Sequence, residues 1–466
     1  MSTPAAEETV HDLVGVGIGP FNLGLAALAE PLELDCVFLD SGEEFRWHPG
    51  MMLDGATIQV PFMADLVTMA DPTSKYSFLN WLKQVGRLYP FYIREDFHAL
   101  RAEFDQYYRW VAGQLNSLRW GRTVEQVDYD AESDLFTVTA LREGSDMEGS
   151  GVETYRAHSL VLGIGTEAFL PAPLRELAAQ APERIRHTSR FLDERQQALA
   201  DGSVAVIGSG QSAAEVYLEL LESQPEHGAR LEWITRSARF QPMEDTRLTL
   251  EMTSPEYTDH FHGLPTPRRD ELLAQQQTLY KGISADLVDR IYEALYRHSA
   301  VREVDTALLT DAEVTSAVAG PEGVELSLHH RQTGQRSRRQ VGQIIAATGY
   351  RPRRPEFLAP VEPLLRRLPD GRLDVTRDYR IDSLGGSDEN GSREQGDGAG
   401  EAGRGRIFVQ NGEEHTHGLS APDLGMGAYR SARILASLTG REVYPLERRI
   451  AFQDFGPAEQ TQETRA

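Results

Sequence analysis

The chain has 466 residues, enough for two or three domains and a large core. Its formal charge of −24 argues against nucleic acid and anionic membranes as partners and suits a cytoplasmic protein with a cationic substrate. Cys36 is the one cysteine, which excludes an internal disulfide, a cysteine-pair redox centre and a cysteine-rich metal site; no metal is expected.

The N-terminal stretch MSTPAAEETVHD is too acidic and polar for a signal peptide, and no apolar run reaches membrane-spanning length. Asp12 to Asp40 reads as strand, tight turn, helix, strand. Leu13, Val14 and Val16 form a short apolar strand around Gly15. Gly17, Ile18 and Gly19 make the turn, Phe21 to Leu28 repeat apolar residues at helical spacing, and Cys36 to Leu39 form a second strand. Gly17 lets the backbone reverse and Gly19 lets it approach a pyrophosphate. The helix start at Pro20, Asn22 and Leu23 offers free N–H groups and a positive dipole end. Asn22 replaces the third glycine of G-x-G-x-x-G. Asp40 follows about 20 residues on, where a carboxylate accepts ribose hydroxyls and repels a 2′-phosphate. This site is expected to hold FAD or NAD rather than NADP.

Leu118 to Val161 reads as an antiparallel patch, with LFTVTAL alternating as a strand should. LVLGIGT at Leu160 to Thr166 and IIAATGY at Ile344 to Tyr350 run apolar and stop at small-residue turns, so their backbones can lie against a cofactor. Between them, SVAVIGSGQSAAEVYLELL starts a second strand–turn–helix unit at Ser203. Gly208, Ser209 and Gly210 occupy the turn, Gln211 and Ser212 open the helix, and Ala213 is small enough for close helix–strand packing. The following strand, LEWIT, ends at Thr235 and Arg236, with Arg239 behind. Cations here suit a 2′-phosphate, so this site reads as NADPH. Arg268 to Ala300 has helical spacing, as a subunit interface or a substrate lid. Residues 383–406 are polar and Gly-rich, read as a disordered surface insertion, and the last residues are expected to fray. The expected fold is α/β with two Rossmann-like dinucleotide-binding domains. A discontinuous FAD-binding domain spans residues 1–166 and 342–466, and an inserted NADPH-binding domain spans 167–341, with a helical substrate region at about 245–300.

Two nucleotide turns of opposite preference imply electron flow from NADPH to a flavin. With no cysteine pair or metal cluster, molecular oxygen is the simplest acceptor, as in a flavin monooxygenase forming a C4a-hydroperoxide. FRWHPGM (Phe45 to Met51) and IQVPFMADLVTMADPTSKYSFLNWL (Ile58 to Leu82) resemble the microbial N-hydroxylating flavoprotein monooxygenases of siderophore biosynthesis. GIGPFNL, GSGQSAAE, ATGY and HTHGLSAPDLGMGAYRSA extend that resemblance over nearly the whole chain. It implies FAD and NADPH as cofactors, Trp47 and His48 along the flavin, and Gln59 near its reactive edge. Gln59 and His48 are the catalytic candidates, and Thr348, Gly349, Tyr350 and Leu424 join the cofactor set.

Amino-acid hydroxylases of this group carry a lysine within an F-L/M-K-D-L run. This chain has Ala64 there, and it carries Ser254, Leu279 and Gly425 where the ornithine enzymes have two asparagines and a serine. A buried carboxylate without a cation is costly. The substrate expected is therefore a short diamine, putrescine or cadaverine, which places the chain nearest the diamine branch. The alternative is that Lys75 or Lys281 supplies the cation, leaving an L-lysine N6- or L-ornithine N5-monooxygenase. Asp65, Glu244, Asp245 and Asp423 are candidates to hold the remote ammonium. The competing readings are a ketone- or sulfide-oxidising flavoprotein and a non-catalytic nucleotide-binding sensor. The resemblance also implies a homo-oligomer, tetramer or dimer.

Overall fold

The computed structural model describes residues 9–142, 151–384, 406–447 and 449–456. Val10–Val16 lies at the heart of a seven-stranded sheet, parallel to Cys36–Asp40 on one side and Val152–Leu162 on the other. Leu118–Trp120 extends it in parallel beyond Cys36–Asp40. The long strand Val152–Leu162 changes partner along its length. Its first half pairs antiparallel with Leu135–Arg142, and its second half pairs parallel with Arg406–Val409. The central strand is apolar on both faces because both are covered. On one side, Leu13 and Phe38 join a cluster with Leu25, Phe78, Phe104 and Tyr107. On the other, Val14, Val16 and Leu39 meet Phe136, Val138 and Ile407. Gly15 is required by this packing: a Cβ there would stand 2.1 Å from the Phe38 ring.

The second sheet has five parallel strands in the order Thr306–Leu309, Arg230–Ile234, Ser203–Ile207, Gln343–Ala346, Ile185–His187. Helices Gln211–Glu222 and Ala285–Ser299 pack on one face. Helix Ala172–Gln180 and an antiparallel meander, Ala312–Gly320, Gly323–His330 and Arg336–Val341, cover the other. The chain passes between the sheets on Thr166–Ala168 and Tyr350–Pro352, which pair antiparallel.

Three expectations are corrected. The return from the second sheet follows Ala346 rather than Gly342, because Gln343–Ala346 is a buried strand of that sheet. The antiparallel patch is confined to Arg122–Asp130, Leu135–Arg142 and the first half of Val152–Leu162, since Leu118–Trp120 and Ser159–Leu162 pair in parallel. The helical stretch from Arg268 to Ala300 is broken into Thr266–Gln275, a 3-10 turn at Gln277–Leu279, and Ala285–Ser299. The break arises where Ile283 bonds back to Gln241 and Met243, so tightly that a Cβ at Gly282 would lie 2.5 Å from the Met243 backbone. Of the insertion expected at 383–406, residues 385–405 lie outside the described residues, as do residues 457–466 of the terminus.

A bidentate ion pair ties the two sheets together. Arg101, at the start of helix Arg101–Ala112, donates to both carboxylate oxygens of Glu215 in helix Gln211–Glu222, at 3.0 and 2.7 Å. Both side chains are almost excluded from water. Replacing Glu215 by Gln leaves the buried guanidinium without its counter-charge, and is expected to destabilise the protein by about 3 kcal/mol. The shift of the urea unfolding midpoint measures this.

Candidate active site

Both glycine turns are built to receive a pyrophosphate. Gly17 has φ +88°, and a Cβ there would lie 2.4 Å from the Gly163 carbonyl. A Cβ at Gly19, by contrast, would meet nothing within 4 Å, so this side of the turn faces open space. Helix Pro20–Ala29 begins there with no side-chain cap, leaving its first N–H groups for an anion. Asp40 stands at the turn with Oδ2 accepting from the Ile18 N–H and Oδ1 from the Gly42 N–H, both at 2.7 Å. The second turn repeats the plan. Gly208 has φ +149° and passes the Ala347 carbonyl, and helix Gln211–Glu222 starts after Gly210, again uncapped. Ser209 bonds Ser237 at 3.0 Å beneath that turn. Arg236 and Arg239 at its edge are exposed and form no ion pair among the described residues.

Several expected cofactor residues also hold the scaffold. Asn22 is fully buried; its amide donates to the Gly17 carbonyl at 2.8 Å and accepts from Gln410 at 2.7 Å. The asparagine in the third-glycine position thus ties the turn to the C-terminal segment. The Leu23 side chain sits wholly in the core. Gln211 is committed to the Ser284 N–H at 2.9 Å and to Glu215 at 3.0 Å. Thr348 bonds the Phe169 carbonyl, and the Gly349 carbonyl accepts from the Phe169 N–H at 2.9 Å and pairs with His187 at 3.1 Å.

A cleft of about 330 Å³ opens between the two units. Trp47, His48, Gln59 and Leu424 line it from the first unit, and Gln211, Ser212, Glu244 and Leu279 from the second, with Tyr350 at the crossing. The Trp47 ring stands edge-on to Tyr108 at 5.3 Å, and the Trp47 backbone N–H donates to Asp105 at 3.0 Å. His48 adopts φ +47°, a left-handed conformation that a non-glycine residue holds only when its surroundings impose it. Its ring is reachable from the cleft. Desolvation by the cleft walls, helped by the Arg101 guanidinium, lowers its pKa to about 4. Gln59 is exposed to the cleft, and its amide makes no hydrogen bond among the described residues.

The substrate candidates divide. Glu244, Asp245, Leu279 and Asp423 line the cleft. Asp65 does not serve there. Its buried carboxylate accepts from the N–H groups of Val67, Thr68 and Phe78 and from the Thr68 hydroxyl, closing the loop before helix Phe78–Gln84. Ser254 caps helix Pro255–Gly263 by accepting from the Tyr257 N–H at 3.2 Å, and is buried away from the cleft. Ala64 lines a much smaller hollow of about 10 Å³ beside Leu424, and a Cβ at Gly425 would lie 3.8 Å from that of Ala64.

Two features had no sequence signal. Arg101 and Glu215 meet across 114 residues. Tyr280, also in the cleft, donates its hydroxyl to Glu414. Among the described lining residues Arg101 is the only lysine or arginine, and Glu215 neutralises it. Glu244, Asp245 and Asp423 form no ion pair among the described residues. Lys75 pairs with Glu30 at 3.0 Å and Lys281 with Glu414 at 3.4 Å, and neither lines the cleft.

Residues 9–352 match the family model for L-lysine 6-monooxygenase/L-ornithine 5-monooxygenase. The chain belongs to this family. It is 42% identical over 462 residues to the putrescine N-hydroxylase of Shewanella oneidensis, covering 98% of this chain and 87% of that one. The FAD-bound structure of DfoA, the cadaverine monooxygenase of desferrioxamine biosynthesis in Erwinia amylovora, superposes with a TM-score of 0.89 at 44% identity, covering 97% and 100% of the two chains. The ornithine N-hydroxylase KtzI of Kutzneria, solved with reduced FAD, NADP⁺ and L-ornithine, gives 0.80 at 27%, covering 93% and 99%. This family member is therefore a flavin-dependent monooxygenase of the two-dinucleotide α/β fold, with FAD and NADPH as cofactors. The sensor and the ketone- or sulfide-oxidising readings find no support.

Two outcomes follow from this geometry. Removing the guanidinium with Arg236→Ala is expected to raise KM for NADPH by roughly tenfold or more, from the loss of a charge-assisted contact, and to leave KM for NADH little changed. Steady-state kinetics with both coenzymes checks this. His48 is expected to titrate near pH 4 in an NMR pH series, with His48→Gln assigning its signal. An unfolded histidine takes its proton near pH ~6.5. Between these values only the unfolded state is protonated, so His48 costs stability as pH falls from 6.5 towards 4 and has no effect above 6.5.

Proposed function

We propose that this monooxygenase N-hydroxylates one primary amine of a short aliphatic diamine, putrescine or cadaverine, in hydroxamate siderophore biosynthesis. The carrying observation is the charge of the cleft: Glu244, Asp245 and Asp423 form no ion pair among the described residues, and the sole guanidinium is spent on Glu215. An α-carboxylate would enter without a partner, whereas a second ammonium meets counter-charge. The similarity to a putrescine N-hydroxylase and a cadaverine monooxygenase supports the same class.

We assign FAD to the Gly17–Gly19 turn and Asp40, and NADPH to the Gly208–Gly210 turn, with Arg236 on its 2′-phosphate. The uncapped helix ends and the open face at Gly19 fit these groups. FAD, reduced by NADPH, supplies oxygen chemistry in which one atom of O2 forms the N–O bond and the other leaves as water. The protein must present a neutral amine, because an alkylammonium, with pKa near ~10.4, has no lone pair to donate. Desolvation in the cleft favours that form, while the carboxylates keep the far end charged. Desolvation and the nearby Arg101 lower the pKa of His48, so it presents a neutral imidazole to the site. Gln59 offers an amide to cofactor or substrate.

No helix among the described residues is long and apolar enough to cross a membrane. A cytoplasmic location and a homo-oligomer, dimer or tetramer, complete the proposal. Tyr89, Tyr92, Ile93 and Phe97, all more than 60% exposed, supply the apolar surface for subunit contact.

Putrescine, cadaverine, L-lysine and L-ornithine, each offered with NADPH to the FAD-loaded protein, test the substrate class. Hydroxylamine product is expected from the diamines, with kcat/KM at least ~100-fold above the amino acids, the scale of an unpaired buried charge. Product from lysine or ornithine alone overturns the reading.

A further inference from the structure

We propose that Asp423 holds the non-reacting ammonium of the diamine, an inference that rests on the diamine reading. Three carboxylates face the cleft, but their environments differ. Glu244 and Asp245 are exposed and stay solvated without a ligand. Asp423 is half-buried at the start of helix Gly425–Thr439, where desolvation makes an unpaired charge most costly and a ligand cation most stabilising.

Its orientation is set by the fold. Oδ1 accepts from the Met426 N–H at 3.2 Å, which holds the carboxylate against the helix start. The Gly425 N–H and the charge of Arg430 also act on the carboxylate, which forms no ion pair among the described residues. Arg430, on the same helix, is committed elsewhere, facing Glu413 at 3.1 Å and donating to the carbonyls of Ser420 and Ala421.

Two small residues keep this carboxylate uncovered. A Cβ at Gly425 would lie 2.9 Å from Asp423 Oδ1, so any side chain there crowds it. Ala64, 3.8 Å from that same point, brings neither charge nor bulk. A carboxylate fixed by backbone N–H groups, facing the cleft and without an ion pair among the described residues, is a receptor for a primary ammonium. The absence of bulk at 64 and 425 and the charge at 423 are then one specificity device.

Asp423→Asn tests this, because asparagine can still accept the Met426 N–H and so preserves the cap while removing the charge. The KM of putrescine or cadaverine is expected to rise roughly tenfold or more, with a smaller change in kcat. The KM of butylamine or pentylamine, which lack the second ammonium, is expected to move less than about twofold, a contrast that a merely structural defect would not produce. Ala64→Lys, which places a cation beside Asp423, is expected to weaken diamine binding likewise. Equal losses on diamine and monoamine overturn the assignment, as does a dominant effect from Glu244→Gln or Asp245→Asn. A wild-type protein that hydroxylates no diamine would refute the diamine reading itself.

Discussion

The ion pair between Arg101 and Glu215 sets the terms for the whole site. It joins a helix of the first unit to the first turns of the helix that follows the second glycine turn, with both side chains almost excluded from water. The same guanidinium donates to the Met51 carbonyl at 2.6 Å, bracing the segment that carries Trp47 and His48. It also contributes to the depressed pKa of His48. Because its charge is spent on Glu215, the cleft has no uncommitted lysine or arginine among the described lining residues. The tie between the two halves and the loss of Arg101's charge to the cleft both follow from one contact.

Substrate class in this architecture is decided as much by what side chains lack as by what they carry. Ala64 lines a small hollow beside Leu424, and any side chain at Gly425 would crowd both Ala64 and Asp423. The long, charged or amide-bearing residues that would read an amino acid's α-carboxylate are missing there, and the acids that remain favour a second ammonium. The chain's lysines do not compensate, since Lys75 and Lys281 are held by Glu30 and Glu414 outside the cleft.

Polar residues close to the motifs proved poor guides when the backbone claimed them first. Asp65 follows Ala64 directly, yet its two oxygens are filled by a loop that cannot close without them. Ser254 is used as a helix cap. Asn22 and Gln211, both inside the glycine-turn motifs, knit distant segments together. Short polar side chains satisfy nearby backbone groups readily, and a buried N–H left unmade costs more than a ligand contact forgone. Gln59 keeps a free amide because no hydrogen-bond partner among the described residues claims it.

The sequence by itself determined the two strand–turn–helix units, the acid that ends one following strand and the arginine just after the other, and the lack of a cation at residue 64. These are local facts: a glycine turn, a strand end and a missing side chain each act within a few residues. Only the tertiary structure decided which acids share the cleft, where the chain crosses back, and that Arg101 is neutralised from 114 residues away. Burial and pairing depend on what the fold brings alongside, and charge along a chain carries no record of its distance in space.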